Sequence, residues 1–267
     1  MIIQSQAIVL KSFSYSNTSI IARCLTREMG KISVIVHGAK KKNLQKSAYF
    51  QPASYVDLVF YFKETREIQT VSKASFVQTW PHLQNDLKKI VYVLSVIELT
   101  DKTVIDRDPH KELFDELVSV IRIFDSRDDR LNLVFWHFEL RLLSLLGFKP
   151  DFEKRDFSGL TLPNPFAGPN SRELLNGLQN NDTDSLKEIP ITKKDRAVIS
   201  DYLTTYLKYH FDGVNKLKSF EVLKQILVGW RRIKLTRGYY LGREKKLFYL
   251  EKMGKFILKM KKYGADI

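Results

Sequence analysis

Apolar residues in the first 75 positions come in five short runs, each closed off by polar or turn-forming residues. AIVLKSF (7–13), TSIIARCLT (18–26), KISVIVH (31–37), SYVDLVFYF (54–62) and REIQTVSKA (66–74) are rich in β-branched and aromatic side chains. Such side chains fit a pleated, half-buried surface, so the runs predict five strands. The turn Arg27-Glu28-Met29-Gly30 places a glycine where a positive φ is needed, and Gly38 ends the third run. Five short strands suit a small closed barrel. The OB-fold is the commonest five-stranded version, and an SH3-like barrel fits the strand count nearly as well.

From about residue 81 the apolar spacing changes to three and four. LKKIVYVLSVIELTDKTVI (87–105), HKELFDELVSVIRIFDS (110–126) and RLNLVFWHFELRLLSLLG (130–147) predict three amphipathic or buried helices. In the second, Leu113, Leu117, Val120, Ile121 and Phe124 form one stripe, with Glu112, Asp115, Glu116 and Arg122 largely off it. Gly147 is placed as a C-cap, with Pro150 where a helix cannot continue. Residues 151–170, with Pro150 at their edge, hold four prolines and two glycines and predict an irregular connection. Helical spacing resumes at SRELLNGLQ (171–179), KKDRAVISDYLTTYLKYHF (193–211) and FEVLKQIL (220–227). The expected class is therefore α+β: a five-stranded barrel over residues 1–80, an all-helical domain over 81–228, and a tail at 229–267.

Charge divides the chain along the same lines. The formal net charge is +14, but residues 1–80 hold 11 Lys/Arg against 4 Asp/Glu, residues 81–228 hold 21 against 23, and residues 229–267 hold 12 against 3. Two basic ends flanking a near-neutral middle point to a polyanion, nucleic acid first and anionic membrane second. In the tail, Leu250, Met253, Ile257 and Met260 share a helical face among lysines. That pattern suits a membrane surface, nucleic acid, packing on its own domain, or a frayed end. No run of 18 apolar residues predicts a membrane span, and MIIQSQAIVLKSF reads as a strand rather than a secretory signal. With one cysteine, Cys24, no internal disulfide is expected, and a cytoplasmic protein is.

No catalytic constellation emerges. His37, His82, His110, His137 and His210 are scattered, and neither a GxxxxGK[ST] nor a GxGxxG string occurs. Asp128-Asp129 reads as a solvated pair, and Cys24 as a small buried apolar residue alternating with Ile20 and Ala22. The expectation is a protein that is not an enzyme and needs no cofactor or metal. Lysines carry the chemistry instead. Lys40, Lys41, Lys42 and Lys46 occupy the loop after the third strand, and Arg27 and Lys31 flank the turn before it. Phosphates neutralised by such a cluster release counterions, giving affinity without sequence choice. Phe13, Tyr15, Tyr49, Tyr55 and Tyr61 are candidate platforms on which bases of a single strand would stack.

The string AIVLKSFSYSNTSIIARCLTREMGKISVIVHGAKK resembles the start of the RecO recombination-mediator family: an AIVLK strand, then T-x-x-x-G-K and a V-x-K-G-A-R-like run. FQPASYVDLVFY, ELFDEL, FELRLLSLLGFKPDF and YHFDGVNKLKSFEVL follow in the family's order, so the resemblance covers about residues 1–228. It implies an OB-fold followed by a helical domain, and a nucleoid-associated, non-enzymatic role in gap repair. RecO-like proteins bind single- and double-stranded DNA and anneal complementary strands. With RecR they help load RecA onto DNA coated by single-strand-binding protein, whose C-terminal tail they contact. The family's basic OB positions fall on Arg27, Lys31, Lys40 and Lys41.

Three departures qualify the transfer. Many members carry a four-cysteine zinc module opening with C-x-x-C-G, where this chain has Arg155, Ser158 and Gly159 in RDFSG. Neither opening ligand is present, so no zinc is expected. Asn17 replaces the acidic residue usual before the second strand, and residues 229–267 have no recognisable family counterpart. A rival reading is a protein-interaction adaptor with little direct DNA binding, and a third is peripheral membrane binding through residues 243–262.

Overall fold

The first strand runs far beyond the predicted AIVLKSF. In the computed structural model, which describes residues 1–40, 46–180, 186, 188–220 and 222–223, β1 extends over Ile2–Ser14. It serves two neighbours in turn. Ile2–Ile8 pair antiparallel with β4 (Tyr55–Tyr61), and Ala7–Ser14 pair with β2 (Ile20–Thr26). A register shift between Val9 and Lys11 lets the strand turn from one partner to the other, as bulges at barrel corners do. β3 (Gly30–Val36) follows β2, and β5 (Ile68–Gln78) closes against β4.

The barrel order is β1-β2-β3-β5-β4, with every pairing antiparallel except β3 with β5. That Greek-key closure is the OB arrangement, which settles the barrel type that strand count left open. Ala7, Val9, Ile20, Ala22, Cys24, Ile32, Val34, Val36, Val56, Leu58 and Phe60 fill the inside, joined by Phe50 from a 3-10 turn at Lys46–Phe50. Cys24 is fully buried there, and burial pushes its thiol up to about 12.

The helical part comprises α1 (Leu87–Thr103), α2 (Lys111–Ser126), α3 (Leu131–Leu145), α4 (Ser171–Gln179) and α5 (Lys193–His210). The predicted stripe of α2, Leu113 to Phe124, is buried throughout. Their ends are closed as the sequence requires. Asp86 caps α1 by accepting from Lys88 and Lys89 N–H, and Thr192 and Asp195 form a reciprocal capping box on α5. Gly147, at φ +85°, ends the α3 region while Phe148 N–H reaches Leu143 C=O at 2.7 Å. FEVLKQIL beyond Leu223, and the tail at 229–267, lie outside the described residues.

Barrel and helices share one apolar core. Ile8, Leu10, Leu25, Ala53 and Tyr55 from the barrel wall belong to the same cluster as the inward faces of α1–α5. Tyr55 stacks on Trp80 and meets Phe114 edge-on, and Trp80 Nε1 donates to Ala53 C=O at 2.9 Å. The α1–α2 linker completes the join. β3 pairs with β5 only from Ser33 to Ile35, and ahead of that its edge is taken by the linker. Lys31 forms a parallel bridge with Asp106, and Arg107 N–H donates to Lys31 C=O at 2.9 Å. Arg107, held at φ +62°, also donates its guanidinium to the carbonyls of Glu64 and Arg66 on the β4–β5 turn.

Residues 151–170 contain a minimal hairpin, β6 (Asp156–Phe157) and β7 (Leu160–Thr161), turned at Gly159. Phe157 packs against Tyr206, Tyr209 and His210 of α5, and the Lys154 ammonium lies 5.4 Å over its ring. Arg155, Ser158 and Gly159 supply no thiolate or imidazole, so this segment does not fit the zinc module of the resembled family. Among the described residues no three His, Cys, Asp or Glu side chains converge as a metal site requires.

Two glycines test how tightly the linker seats. Gly30 and Gly159 both have positive φ, but a Cβ on Gly30 would run into the backbone of Asp108, whereas one on Gly159 meets open space. Gly159→Ala is expected to cost about 1–2 kcal/mol, the left-handed penalty alone. Gly30→Ala should cost roughly 3 kcal/mol or more, by addition of a backbone collision. Urea midpoints of the two variants measure the difference, and equal losses would mean that the linker does not clamp the turn.

Candidate nucleic-acid interface

Outward-facing positions of the barrel follow from strand alternation and register. On β1 beyond the bulge, Lys11 and Phe13 point out, with Ser12 buried between them. Lys11 is level with Arg23 of β2, which is level with Ser33 of β3. One step along, Phe13 is level with Ile21 and Ile35. The outer face of β1-β2-β3 thus carries one polar, cationic row and one apolar row. Phe13 is 39% exposed and Tyr15, just past the strand end, 63%.

Two loops rim this face. In the β1–β2 loop Ser16 Oγ accepts from Thr18 and Ser19 N–H, closing a tight local turn. Lys40, from the segment after β3, is tied to the same loop: its N–H donates to Thr18 C=O at 3.1 Å and its exposed ammonium to Ser16 C=O at 2.9 Å. A cation resting on one carbonyl in water keeps its charge available. Lys46 sits half-buried at the start of the 3-10 turn, and Lys41 and Lys42 lie outside the described residues.

Lys31 and Arg27 are corrections to the predicted set. Lys31 is buried, 4% exposed, because its outward side on β3 is the side on which α1 docks. Its ammonium donates to the carbonyls of Asp101 at 2.7 Å and Val104 at 2.5 Å and pairs with Asp106 at 3.1 Å. The last carbonyls of a helix lack intrahelical partners and sit at its negative end. Lys31 therefore caps α1 from the neighbouring barrel. Arg27 is engaged too, as a two-pronged pair with Asp115 of α2 at 3.0 and 2.9 Å, with Glu28 at 3.5 Å. Glu28 in turn meets Lys111 at 2.9 Å. These contacts raise the Arg27 pKa and hold Asp115 and Glu28 below the usual carboxylate range.

The aromatic candidates also separate. Phe13, Tyr15 and Tyr61 are exposed, but Tyr61 lies on another wall, level with Ile2. Tyr55 is buried against Trp80 and Phe114 and is no stacking platform, and Tyr49 is half-buried against Phe76. Lys11 was missing from the predicted cations, although the alternation Lys11, Phe13, Tyr15 against Leu10, Ser12 signals it. Glu28 in the β2–β3 turn is the one Asp or Glu before Asp57, so strands β1–β3 and the two rimming segments, as far as Lys40, bring no acid of their own.

Comparison with known proteins follows the same division. Residues 1–80 match the family described as recombination protein O N terminal, and residues 84–220 match recombination protein O C terminal. The DNA repair protein RecO of Salinibacter ruber is 27% identical over 245 residues, covering 84% of this chain and 94% of its own. That of Chlorobium limicola is 25% identical over 259 residues, covering 85% and 99%. That of Bacillus pumilus is 27% identical over 256 residues, covering 86% and 98%.

Stability separates the buried Lys31 from the exposed Lys40. Lys31→Met strands two buried carbonyls and should cost about 2–4 kcal/mol, while Lys40→Ala should stay within about 0.5 kcal/mol. Chemical denaturation reads both, and a mild Lys31→Met would refute the capping role. Asp115 supplies a pH test. Because its folded pKa is depressed, its contribution is present above the ordinary aspartate value of about 3.9 and is lost as pH falls through the lower folded value. Asp115→Asn should therefore lower the melting temperature at pH 7 and converge on the parent protein below that range. A gap that persists in acid would mean that the pair with Arg27 is not its source.

Proposed function

Because the chain belongs to the RecO family of DNA repair proteins, we propose that it binds single- and double-stranded DNA through the outer face of β1-β2-β3 and anneals complementary strands. The observation that carries this reading is the pairing of an exposed Phe13 with Lys11 on one strand face, rimmed by Tyr15 and Lys40. Lysines neutralise phosphates irrespective of sequence, and aromatic faces stack on any base. A surface built from these two elements holds a strand without reading it, which is what annealing of arbitrary complements requires.

In this role the protein acts without catalysis, as a mediator. It works with RecR to help load RecA onto single strands coated by single-strand-binding protein, contacting that protein's C-terminal tail. The helical domain offers surface for these partners while the barrel holds DNA. The sequence supplies three further lysines soon after Lys40, at positions 41, 42 and 46.

Fluorescence anisotropy of a labelled oligothymidine across a salt series tests the reading, with strand annealing measured in parallel. The double substitution Lys11→Ala/Lys40→Ala should flatten the log affinity–log salt slope by about 1.4, at about 0.7 per contact. Phe13→Ala should weaken binding by about 1–3 kcal/mol and leave the slope unchanged. Loss confined to a truncation after Val228 would place the DNA contact in residues 229–267, and absence of salt-dependent binding would favour the adaptor instead.

A further inference from the structure

We propose that Asp106 is a resident competitor for the DNA backbone, occupying Arg23 with a carboxylate at the place where a phosphate would otherwise sit. This inference rests on the DNA-binding reading of the β1-β2-β3 face. Arg23 lies within that face, level with Lys11 and one step from the Phe13 row. Its Nη2 reaches both oxygens of Asp106, at 3.3 and 3.4 Å, and its Nη1 lies 3.4 Å from Asp101 Oδ1. Guanidinium binds carboxylate and phosphate with the same donor fork, so the two anions compete for one site.

The two carboxylates are not equivalent. Asp101 is buried at the end of α1, with 7% of its side chain exposed, and is fixed there. Asp106 is 58% exposed and Arg23 32%, so water reaches both partners and another anion can approach the guanidinium. Its distances to Arg23 are well beyond the 2.7–2.9 Å or so of strong charge-assisted hydrogen bonds, and exposed pairs of this kind are weak. Asp106 can leave Arg23 without undocking the linker. Asp106 Oδ1 also pairs with the buried Lys31 ammonium at 3.1 Å and stays with it when Arg23 turns away. Lys31 keeps its two carbonyls, Arg107 N–H keeps Lys31 C=O, and the Arg107 guanidinium keeps the β4–β5 turn.

The consequence is a DNA face one cation weaker than its sequence implies. An annealing protein must release its duplex product, and a carboxylate that re-occupies Arg23 as a phosphate departs favours release. The mask comes from the linker between α1 and α2, so it is absent from any view of the barrel alone.

Four proteins decide the matter: the parent chain, Asp106→Asn, Arg23→Gln and the double variant. Each is titrated with labelled oligothymidine across a salt series and melted to check folding. Asp106→Asn should bind about two- to fivefold tighter and show a slope steeper by about 0.7. Arg23→Gln alone should change affinity less than twofold, because Arg23 is already occupied, and the double variant should lose the gain. A gain that survives in the double variant means mere removal of a negative charge and overturns the proposal. A several-fold loss in Arg23→Gln alone overturns it too, and this arm decides even if Asp106→Asn folds poorly. Binding by the parent with no gain in a folded Asp106→Asn sinks the competitor alone. Failure of every protein to bind in a salt-dependent manner removes the DNA-binding reading and the competitor with it.

Discussion

A buried ammonium cannot stand without partners, and Lys31 has only one place to find them. Desolvating a lysine is expensive unless carbonyls and a counter-charge replace its water. The end of α1 supplies both, since Asp101 and Val104 offer carbonyls that the helix cannot use and Asp106 follows two residues later. One contact therefore closes a helix terminus, neutralises a buried charge and sets the distance between barrel and helices. The linker must then pass against the β2–β3 turn, where only glycine fits at position 30. Arg27 is brought to Asp115 and Tyr55 to Phe114 by the same docking.

That docking divides the barrel's basic residues into two populations. Arg23, Arg27 and Lys31 meet the acids of the helical domain, whereas Lys11 and Lys40 face solvent on a wall whose strands carry no acid. The positive balance of residues 1–80 thus overstates the electrostatic footprint offered to a polyanion. Part of it is internal to the molecule, where it exchanges one surface for another rather than recruiting a ligand. Long-range attraction depends on the net field, but contacts with individual phosphates depend on cations that can be reached.

Strands, helices and their ends were legible because each is encoded locally. Alternation from Tyr55 to Tyr61, the stripe from Leu113 to Phe124 and the glycine at 147 need no knowledge of distant residues. The fate of Arg27 and Lys31 was not legible, for a physical reason. Their partners lie 70 to 88 positions away, at Asp101, Val104 and Asp115, and nothing in TREMGK distinguishes a lysine awaiting phosphate from one awaiting a helix end. Lys11 was legible by alternation with Phe13, and was obscured by the denser lysines of the 40–46 segment. Tyr55 shows the opposite limit. Its strand position correctly put it outside the barrel, but outside the barrel proved to be inside the shared core.

The segment at 151–170 has only a minimal hairpin and neither thiolate nor imidazole at Arg155 and Ser158, which raises the matching question of what confines it. Phe157 supplies the answer from one side and α5 from the other. Its ring meets Tyr206, Tyr209 and His210, while Phe152 packs on Tyr202 one turn earlier. Burial lowers the His210 pKa, and its Nε2 has no hydrogen-bond partner among the described residues, so the imidazole serves as a neutral ring among rings. Aromatic contacts of this kind contribute beyond the area they bury, and several in series confine a short hairpin from two directions. A metal fixes a loop through a few strong bonds to matched ligands. Here the same confinement is spread over many weak contacts, which require shape rather than a particular donor set, and that is why Arg155 and Ser158 can stand where ligands would have to be.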